Sequence, residues 1–82
     1  KMKSYFEEIN MEEIVNSVYS KISELLKEKD KIVFDELIEN RNFRDFYFKF
    51  VSILHLELQR KIKTYQKDHF EKIFIEKPSS NL

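Results

Sequence analysis

The chain has 82 residues, and its 15 basic side chains balance its 15 acidic ones, so it lacks the broad basic field that carries non-specific binding to nucleic acids. A chain of this length forms one domain that buries a modest share of its surface, and eight Phe and four Tyr residues supply large apolar areas to the core. The lack of Cys excludes both a disulfide framework and a thiolate metal site.

The first predicted helix runs from about Met11 to Glu28. Asn10 and Glu13 have the spacing of a capping box, in which Asn accepts backbone N–H groups and Glu reaches back to the cap. Apolar residues then recur at helical spacing, namely Ile14, Val15, Val18, Ile22, Leu25 and Leu26. Because the chain has no Gly, we expect Asp30 to take the left-handed conformation that ends many helices.

Two shorter elements and a long helix are predicted next. Lys31 to Val33 is a short β-favouring segment. The apolar residues within Phe34 to Ile38 follow an i, i+3, i+4 pattern, which predicts a short second helix that ends near Asn40. A third helix is predicted to begin at Asn42 or Phe43 and to end at Gln59.

Two alternating segments near the end of the chain predict a β-hairpin. Lys61 to Tyr65 and Phe70 to Glu76 each alternate apolar and polar residues, and a polar QKDH sequence separates them. The order helix, short strand, helix, helix, hairpin is that of a winged helix, an α+β and mostly helical fold in which a three-helix core precedes a C-terminal β-hairpin. We assign 10–77 to this domain, 1–9 to an N-terminal extension and 78–82 to a flexible tail.

Three further expectations concern the N-terminal extension and the chain as a whole. Tyr5, Phe6 and Ile9 are candidates to pack back on the core. Because the chain begins with Lys1 rather than Met, we expect it either to be part of a longer polypeptide or to carry foreign residues at its start. No apolar run approaches the roughly 18 residues of a membrane span and no signal peptide is visible, so we expect a cytoplasmic location and no membrane partner.

The third predicted helix has apolar residues on more than one side, whereas a helix in a small domain usually needs one stripe about 100° wide. On a helical wheel, the stripe suited to packing on the first helix and the hairpin consists of Phe46, Phe50, Ile53 and Leu56, with the small Ser52 beside it. The second stripe consists of Tyr47, Val51, Leu54 and Leu58, with Phe50 shared and Phe48 farther round.

Periodicity leaves two interpretations of the second stripe open. In the first, both stripes are buried within the chain, one by the first helix and the other by the second helix or the N-terminal segment. In the second, the stripe is a protein-binding surface, since contiguous exposed apolar patches commonly mark interfaces. A DNA-binding winged helix carries Arg, Lys, Asn or Gln on this outward face, and an aliphatic and aromatic face cannot read base edges.

Several short phrases of the sequence occur in an order and spacing found in one known family. They are NMEEI at 10–14, IVFDEL at 32–37, KFVSILHL at 49–56, RKI at 60–62, Gln66, and FEKIFI at 70–75. From 32 onward they are similar to the family phrases V-S-F-E-E-L, T-F-L-A-L-L-E-L, G-K-V, Q and F-x-x-I-x-I, and NMEEI is similar to the opening of the family's first helix. The stretch from about Asn10 to Lys77 therefore resembles the C-terminal domain of segregation and condensation protein A, the bacterial kleisin.

This resemblance implies a winged helix that docks on the ATPase head of a structural-maintenance-of-chromosomes (SMC) protein, for chromosome condensation and partition in the cell cycle and in cell division. A kleisin bridges two heads, associates with the nucleoid, meets DNA only indirectly, and binds segregation and condensation protein B through its middle part, outside this chain. The implied partner-binding residues on the third helix are Tyr47, Phe50, Val51, Leu54 and Leu58. In the hairpin they are Ile73 and Ile75, whose strand would offer an edge to a sheet of the partner.

The sequence departs from the family pattern at two positions. Arg60 stands where the family has Gly after the third helix, so a non-Gly residue is expected in a left-handed conformation at a cost of about 1 kcal/mol. His55 stands where the family has Glu, which puts any salt bridge made by that Glu in doubt.

We find no arrangement of residues that predicts catalysis. His69 beside Asp68 is interpreted as part of a solvated turn, and His55 as a polar residue at the rim of a surface rather than a metal ligand. Without Gly, a phosphate-cradling loop of the usual kind cannot form. We therefore expect no cofactor and no enzymatic activity, and the ATPase chemistry implied by the resemblance belongs to the partner.

Two other functions remain open from the sequence. Arg41 and Arg44 lie where a DNA-reading helix contacts its site. We interpret them as solvated residues at a helix end, but they are the main support for the alternative of a DNA-binding winged-helix regulator. A self-associating structural module would instead use the second apolar stripe to form a homodimer.

Overall fold

A computed structural model describes residues 10–69 and 71–78 of the chain. Its elements in chain order are α1 (Met11–Leu25), β1 (Lys31–Val33), a 3₁₀ helix (Phe34–Leu37), α2 (Phe43–Leu58), β2 (Lys63–Tyr65) and β3 (Phe74–Glu76). Two helices and a short helical turn therefore pack with a three-stranded antiparallel sheet. This is the predicted α+β winged helix.

Helix α1 begins as predicted and ends earlier than predicted. The side chain of Asn10 accepts a hydrogen bond from the Glu13 backbone N–H at 3.2 Å. After Leu25 the chain leaves the helix through tighter turns, in which the Lys27 N–H donates to the Glu24 carbonyl at 3.3 Å. These i→i−3 bonds use the last carbonyl groups without a left-handed residue. The prediction for Asp30 is therefore wrong, because Arg60 is the one residue with a positive φ in the described part of the chain.

The second predicted helix is reduced to the single 3₁₀ turn Phe34–Leu37. Glu36 stabilises the start of this turn, since its carboxylate accepts the Val33 N–H at 2.9 Å and the Lys29 ammonium at 2.8 Å. Both hydrogen bonds lower the pKa of Glu36, and the one from the Lys29 side chain is the larger cause. Ile38 has an extended backbone (φ −84°, ψ 119°), so the helical pattern of the sequence does not continue past Leu37.

The predicted hairpin is confirmed, and its second strand is the centre of the sheet. The strand order is β1-β3-β2, and Ile75 of β3 lies opposite Ile32 of β1 on one side and Thr64 of β2 on the other. Because both sides of β3 are paired, the prediction that residues around Ile73 to Ile75 offer an edge strand is wrong. The free edges of this sheet belong to β1 and β2. Phe70 lies outside the described residues, as do Tyr5, Phe6 and Ile9.

The core lies where α1, α2 and one face of the sheet meet. Its buried apolar side chains are Val15, Val18, Ile22, Leu26, Ile32, Phe34, Leu37, Ile53, Leu56, Ile62 and Ile75. Ser52 is buried with them, and its hydroxyl donates to the Phe48 carbonyl at 2.7 Å, so this polar group has a partner. No helix in the described part of the chain is long and apolar enough to cross a membrane.

Helix α2 ends in a Schellman motif built around a residue other than Gly. The Lys61 N–H donates to the Leu56 carbonyl and the Arg60 N–H donates to the Glu57 carbonyl, each at 2.9 Å. Arg60 supplies the required left-handed backbone with φ 63°. The expectation of a left-handed Arg60 is thus confirmed, and this turn directs the chain from α2 into the wing.

A candidate docking surface on helix α2

One side of α2 packs into the core. Ser52, Ile53 and Leu56 are buried against α1 and the sheet, as the first stripe predicted. Phe50 is only half-buried, and Phe46, which the wheel assigned to the core, is 44% exposed. The core stripe of α2 is therefore narrower than predicted, because α1 and the sheet cover only the side on which Ile53 and Leu56 lie.

Outside its buried stripe, α2 presents large apolar side chains to solvent. Among the described residues, every exposed large hydrophobic side chain lies on this helix, and we call the set the α2 outer face: Phe43, Phe46, Tyr47, Leu54 and Leu58. Exposure reaches 74% at Phe43 and 82% at Leu58. Single exposed apolar residues are common, but a contiguous set on one helix face is typical of an interaction site.

Aromatic rings at the start of α2 form two ordered stacks. Phe43 stacks on Tyr47 with ring centroids 5.8 Å apart, and Phe46 stacks on Phe50 at 5.7 Å. The buried ring of Phe34 meets the edge of this second stack, at 5.6 Å from Phe46 and 6.1 Å from Phe50. Rings held by such contacts lose little further freedom on binding, which favours their use as anchors.

The residues predicted to bind a partner lie in different environments. Tyr47, Leu54 and Leu58 belong to the α2 outer face, and Phe50 borders it. Val51 borders the same face, but it is half-buried and lines a cavity of about 560 Å³ between α1 and α2.

Compared with the prediction, the site loses one hairpin residue and gains two aromatic residues of α2. Ile73 is half-buried, but Ile75 is fully buried in the central strand, so Ile75 is a core residue and its assignment to the surface is wrong. Phe43 and Phe46 join the surface although the sequence interpretation left them out. The signal for Phe43 was present, because it precedes Tyr47 by one helical turn and therefore shares its face.

The start of α2 is fixed by side-chain caps that also hold the preceding loop. Asn42 accepts the Asp45 N–H at 2.8 Å, and the Asp45 carboxylate accepts the backbone N–H groups of Glu39 and Asn40 at 3.0 and 3.1 Å. The hydrogen bond from Asn40 is the largest cause that lowers the pKa of Asp45, those of Glu39 and Lys49 add to it, and burial opposes them. The aromatic end of the outer face is thus held at a defined position.

Basic residues border the outer face at both ends. Arg41 and Arg44 lie near its N-terminal end, and Arg60 and Lys61 follow its C-terminal end. Arg44 does not extend freely toward a ligand, since its guanidinium lies over the Phe48 ring at 5.4 Å from the centroid.

The histidines lie apart from any cluster of metal ligands. The His55 ring, exposed on α2, is 3.4 Å from the Gln59 amide nitrogen. His69 is exposed in the segment between β2 and β3. Within 10–69 and 71–78, no group of three or more His, Cys, Asp or Glu side chains could hold a metal ion.

The fold has a clear counterpart among solved structures, although sequence comparison finds none. The chain matches one chain of the crystal structure of the SmcHead bound to the C-winged helix domain of ScpA, with a TM-score of 0.78. The match covers 83% of this chain and 99% of that chain at 19% sequence identity, so it shows the winged-helix fold. No protein-family model and no curated protein matches the sequence. The predicted resemblance to the kleisin C-terminal domain is confirmed at the level of the fold.

Proposed function

We propose that this domain is a kleisin-type winged helix that docks on the ATPase head of an SMC protein through the α2 outer face. The observation that carries the proposal is the concentration of all exposed large apolar side chains of the described residues on this one helix. The structural neighbour with the same fold is a winged-helix domain bound to an SmcHead. The fold and the apolar surface therefore favour the same kind of partner.

The composition of the α2 outer face favours a protein partner over DNA. A helix that reads the major groove presents donors and acceptors to base edges. Here the corresponding face carries Phe43, Tyr47, Leu54 and Leu58, and the chain has a formal net charge of zero. Burying these side chains against an apolar protein surface is favourable by about 25 cal/mol for each Å² removed from water.

In this role the domain contributes binding and no catalysis. As the C-terminal part of a kleisin, it would link one SMC head to the rest of the kleisin chain, whose middle part would bind segregation and condensation protein B. DNA would be contacted through the complex and not by this domain. The proposed setting is chromosome condensation and partition at the nucleoid, in the cytoplasm of a dividing cell.

The proposal is tested by titrating the purified 82-residue protein against the SMC head of the same organism in a calorimeter. We expect a one-to-one complex with a dissociation constant in the micromolar range or below. The same protein is then titrated with a DNA duplex at low salt, where no affinity is expected.

Each other outcome identifies a different function. Salt-dependent DNA affinity without head binding would replace the proposal with the DNA-binding regulator. Concentration-dependent dimerisation without head binding would replace it with the self-associating module.

A further inference from the structure

A cavity of about 190 Å³ lies where α2 meets the wing, directly beside the α2 outer face. One wall comes from α2, the opposite wall from β2 and the residue after it, and Ile73 closes the end before β3. The apolar residues of its lining are Phe50, Ile53, Leu54 and Ile73. Phe50, Leu54 and Ile73 all belong to the predicted partner-binding residues, and the fold brings these three side chains together around one cavity.

The polar groups around this cavity already have partners within the chain. The Thr64 hydroxyl donates to the Glu57 carboxylate at 2.6 Å, and the Gln66 amide donates to the Glu71 carbonyl at 2.7 Å. An occupant therefore gains little from bringing polar groups and more from filling the apolar volume. An engineered apolar cavity of about 150 Å³ holds one benzene molecule, so a space of this volume suits one ring or one branched aliphatic side chain.

The cavity is continuous with the surface that carries the proposed function. Leu54 belongs both to the cavity wall and to the α2 outer face, and Phe50 in the wall stacks on Phe46 of that face. A protein that covers Leu54 on this face therefore also reaches the cavity. Energetic hot spots at interfaces are typically bulky apolar side chains that fill such pockets near the centre.

The charges around the face include both signs. Near its N-terminal end, Arg41 shares a cavity with the exposed Asp35 and Glu39. After its C-terminal end, the Lys61 ammonium lies over the Tyr19 ring of α1 at 5.3 Å from the centroid. The apolar side chains, and not a single sign of charge, therefore decide what fits this surface.

We propose that this cavity is an anchor pocket that receives one bulky apolar side chain of the docked head. The inference rests on the proposed function, because the head supplies the side chain. It adds a defined site within that interface, and it predicts that the hot spot of the complex lies between Leu54 and Ile73 and not at the most exposed residue, Leu58.

The test fills the pocket without altering the exposed side of α2. In Ile73→Phe the larger ring occupies the cavity, and we expect head binding to weaken by at least ~10-fold at unchanged thermal stability. Ile14→Phe on α1 is the matched control, since Ile14 is also half-buried but lies away from this cavity. Head affinity equal to wild type in a folded Ile73→Phe protein would overturn the anchor pocket and leave the proposed function standing.

A second pair of variants covers the case in which Ile73→Phe does not fold. Gln66→Trp covers the mouth of the pocket from an exposed position and should weaken head binding by a similar factor, whereas Gln59→Trp, exposed beyond the end of α2, should not. Equal head affinity in both Trp variants would overturn the pocket.

A probe that needs no head separates failure of the pocket from failure of the proposed function. Benzene added to the isotope-labelled protein should shift the NMR signals of Phe50, Leu54 and Ile73 in wild type and not in Ile73→Phe. If the head does not bind but benzene produces these shifts, the pocket stands and the proposed partner is wrong. If neither binds, both proposals are overturned.

Discussion

Asp45 and Lys49, one helical turn apart on α2, form an ion pair with a distance of 3.1 Å between Nζ and Oδ1. Both side chains also bind the segment before the helix: Lys49 donates to the Leu37 carbonyl at 2.6 Å, and Asp45 accepts the N–H groups of Glu39 and Asn40. The pair is mostly shielded from solvent, with side-chain exposures of 15% and 17%. It therefore joins the 3₁₀ turn and its following loop to the first turn of α2.

The Asp45 carboxylate is expected to make stability depend on pH. Its pKa in the folded chain is below the ordinary value of 3.8, with the hydrogen bond from Asn40 as the largest cause. A group with a depressed folded pKa contributes stability that is present above the unfolded pKa and is lost as the pH falls through the folded pKa. We expect Asp45→Asn to lower the free energy of unfolding by roughly 1–2 kcal/mol at pH 7.

That loss should shrink as the pH falls below the ordinary value of 3.8 and should be smallest below the lower pKa of the folded state, where the wild-type carboxyl is also protonated. Urea unfolding at pH 7 and pH 2.5 measures the difference, with the exposed Asp30→Asn as the control. An equal loss from Asp45→Asn at both pH values would show that the charge of Asp45 is not what stabilises the loop.

The two sides of α2 should respond differently to truncation. Ile53 and Leu56 have exposures of 1% and 0%, so Ile53→Ala or Leu56→Ala should cost about 2–5 kcal/mol of stability. Tyr47→Ala and Leu54→Ala should cost roughly 0.5–1.5 kcal/mol, because about half of each side chain is already in water. Denaturant titrations of the four variants measure these losses of stability. Equal destabilisation on both sides would mean that all of these residues act as core.

The left-handed Arg60 should be a site where Gly stabilises the fold. Its positive φ costs a residue with a Cβ about 1 kcal/mol, and Gly removes that strain while adding some entropy to the unfolded chain. We expect Arg60→Gly to raise the free energy of unfolding by up to about 1 kcal/mol and Arg60→Val to lower it by more. Thermal unfolding of wild type and the two variants compares their stabilities. An Arg60→Val protein as stable as wild type would contradict the left-handed conformation of residue 60.

A charge placed on the α2 outer face should separate folding from binding. Leu54 is 46% exposed, so Leu54→Arg can keep its guanidinium in water in the free protein. In the complex with the head, the same cation would be buried without a partner, which costs several kcal/mol, so we expect at least a ~100-fold loss of affinity. Circular dichroism checks the fold and calorimetry the binding, with Ser20→Arg on the exposed side of α1 as the control. A folded Leu54→Arg protein that binds at wild-type strength would exclude Leu54 from the interface.

The sequence alone determined the elements whose signals are local. The spacing of Val15, Val18 and Ile22 predicts α1, and alternation before and after the QKDH turn predicts β2 and β3, because side-chain direction along a helix or strand depends only on position in the chain. Left-handed geometry at Arg60 was also expected from the sequence, through the family resemblance. The same local rules failed for the second helix, because Lys49 and Asp45 of α2 hydrogen-bond the backbone of Leu37, Glu39 and Asn40, where the predicted helix would have continued.

Only the tertiary structure decided which apolar side chains remain in solvent. Nearly every side of α2 is apolar, so its periodicity cannot tell Phe46 from Ile53, and burial follows from where α1 and the sheet lie. The pairing of Lys31 with Glu76 joins distant parts of the chain, places β3 at the centre of the sheet and removes Ile75 from the surface. Contacts between distant segments depend on the packing of the whole domain, and no short window of sequence contains that information.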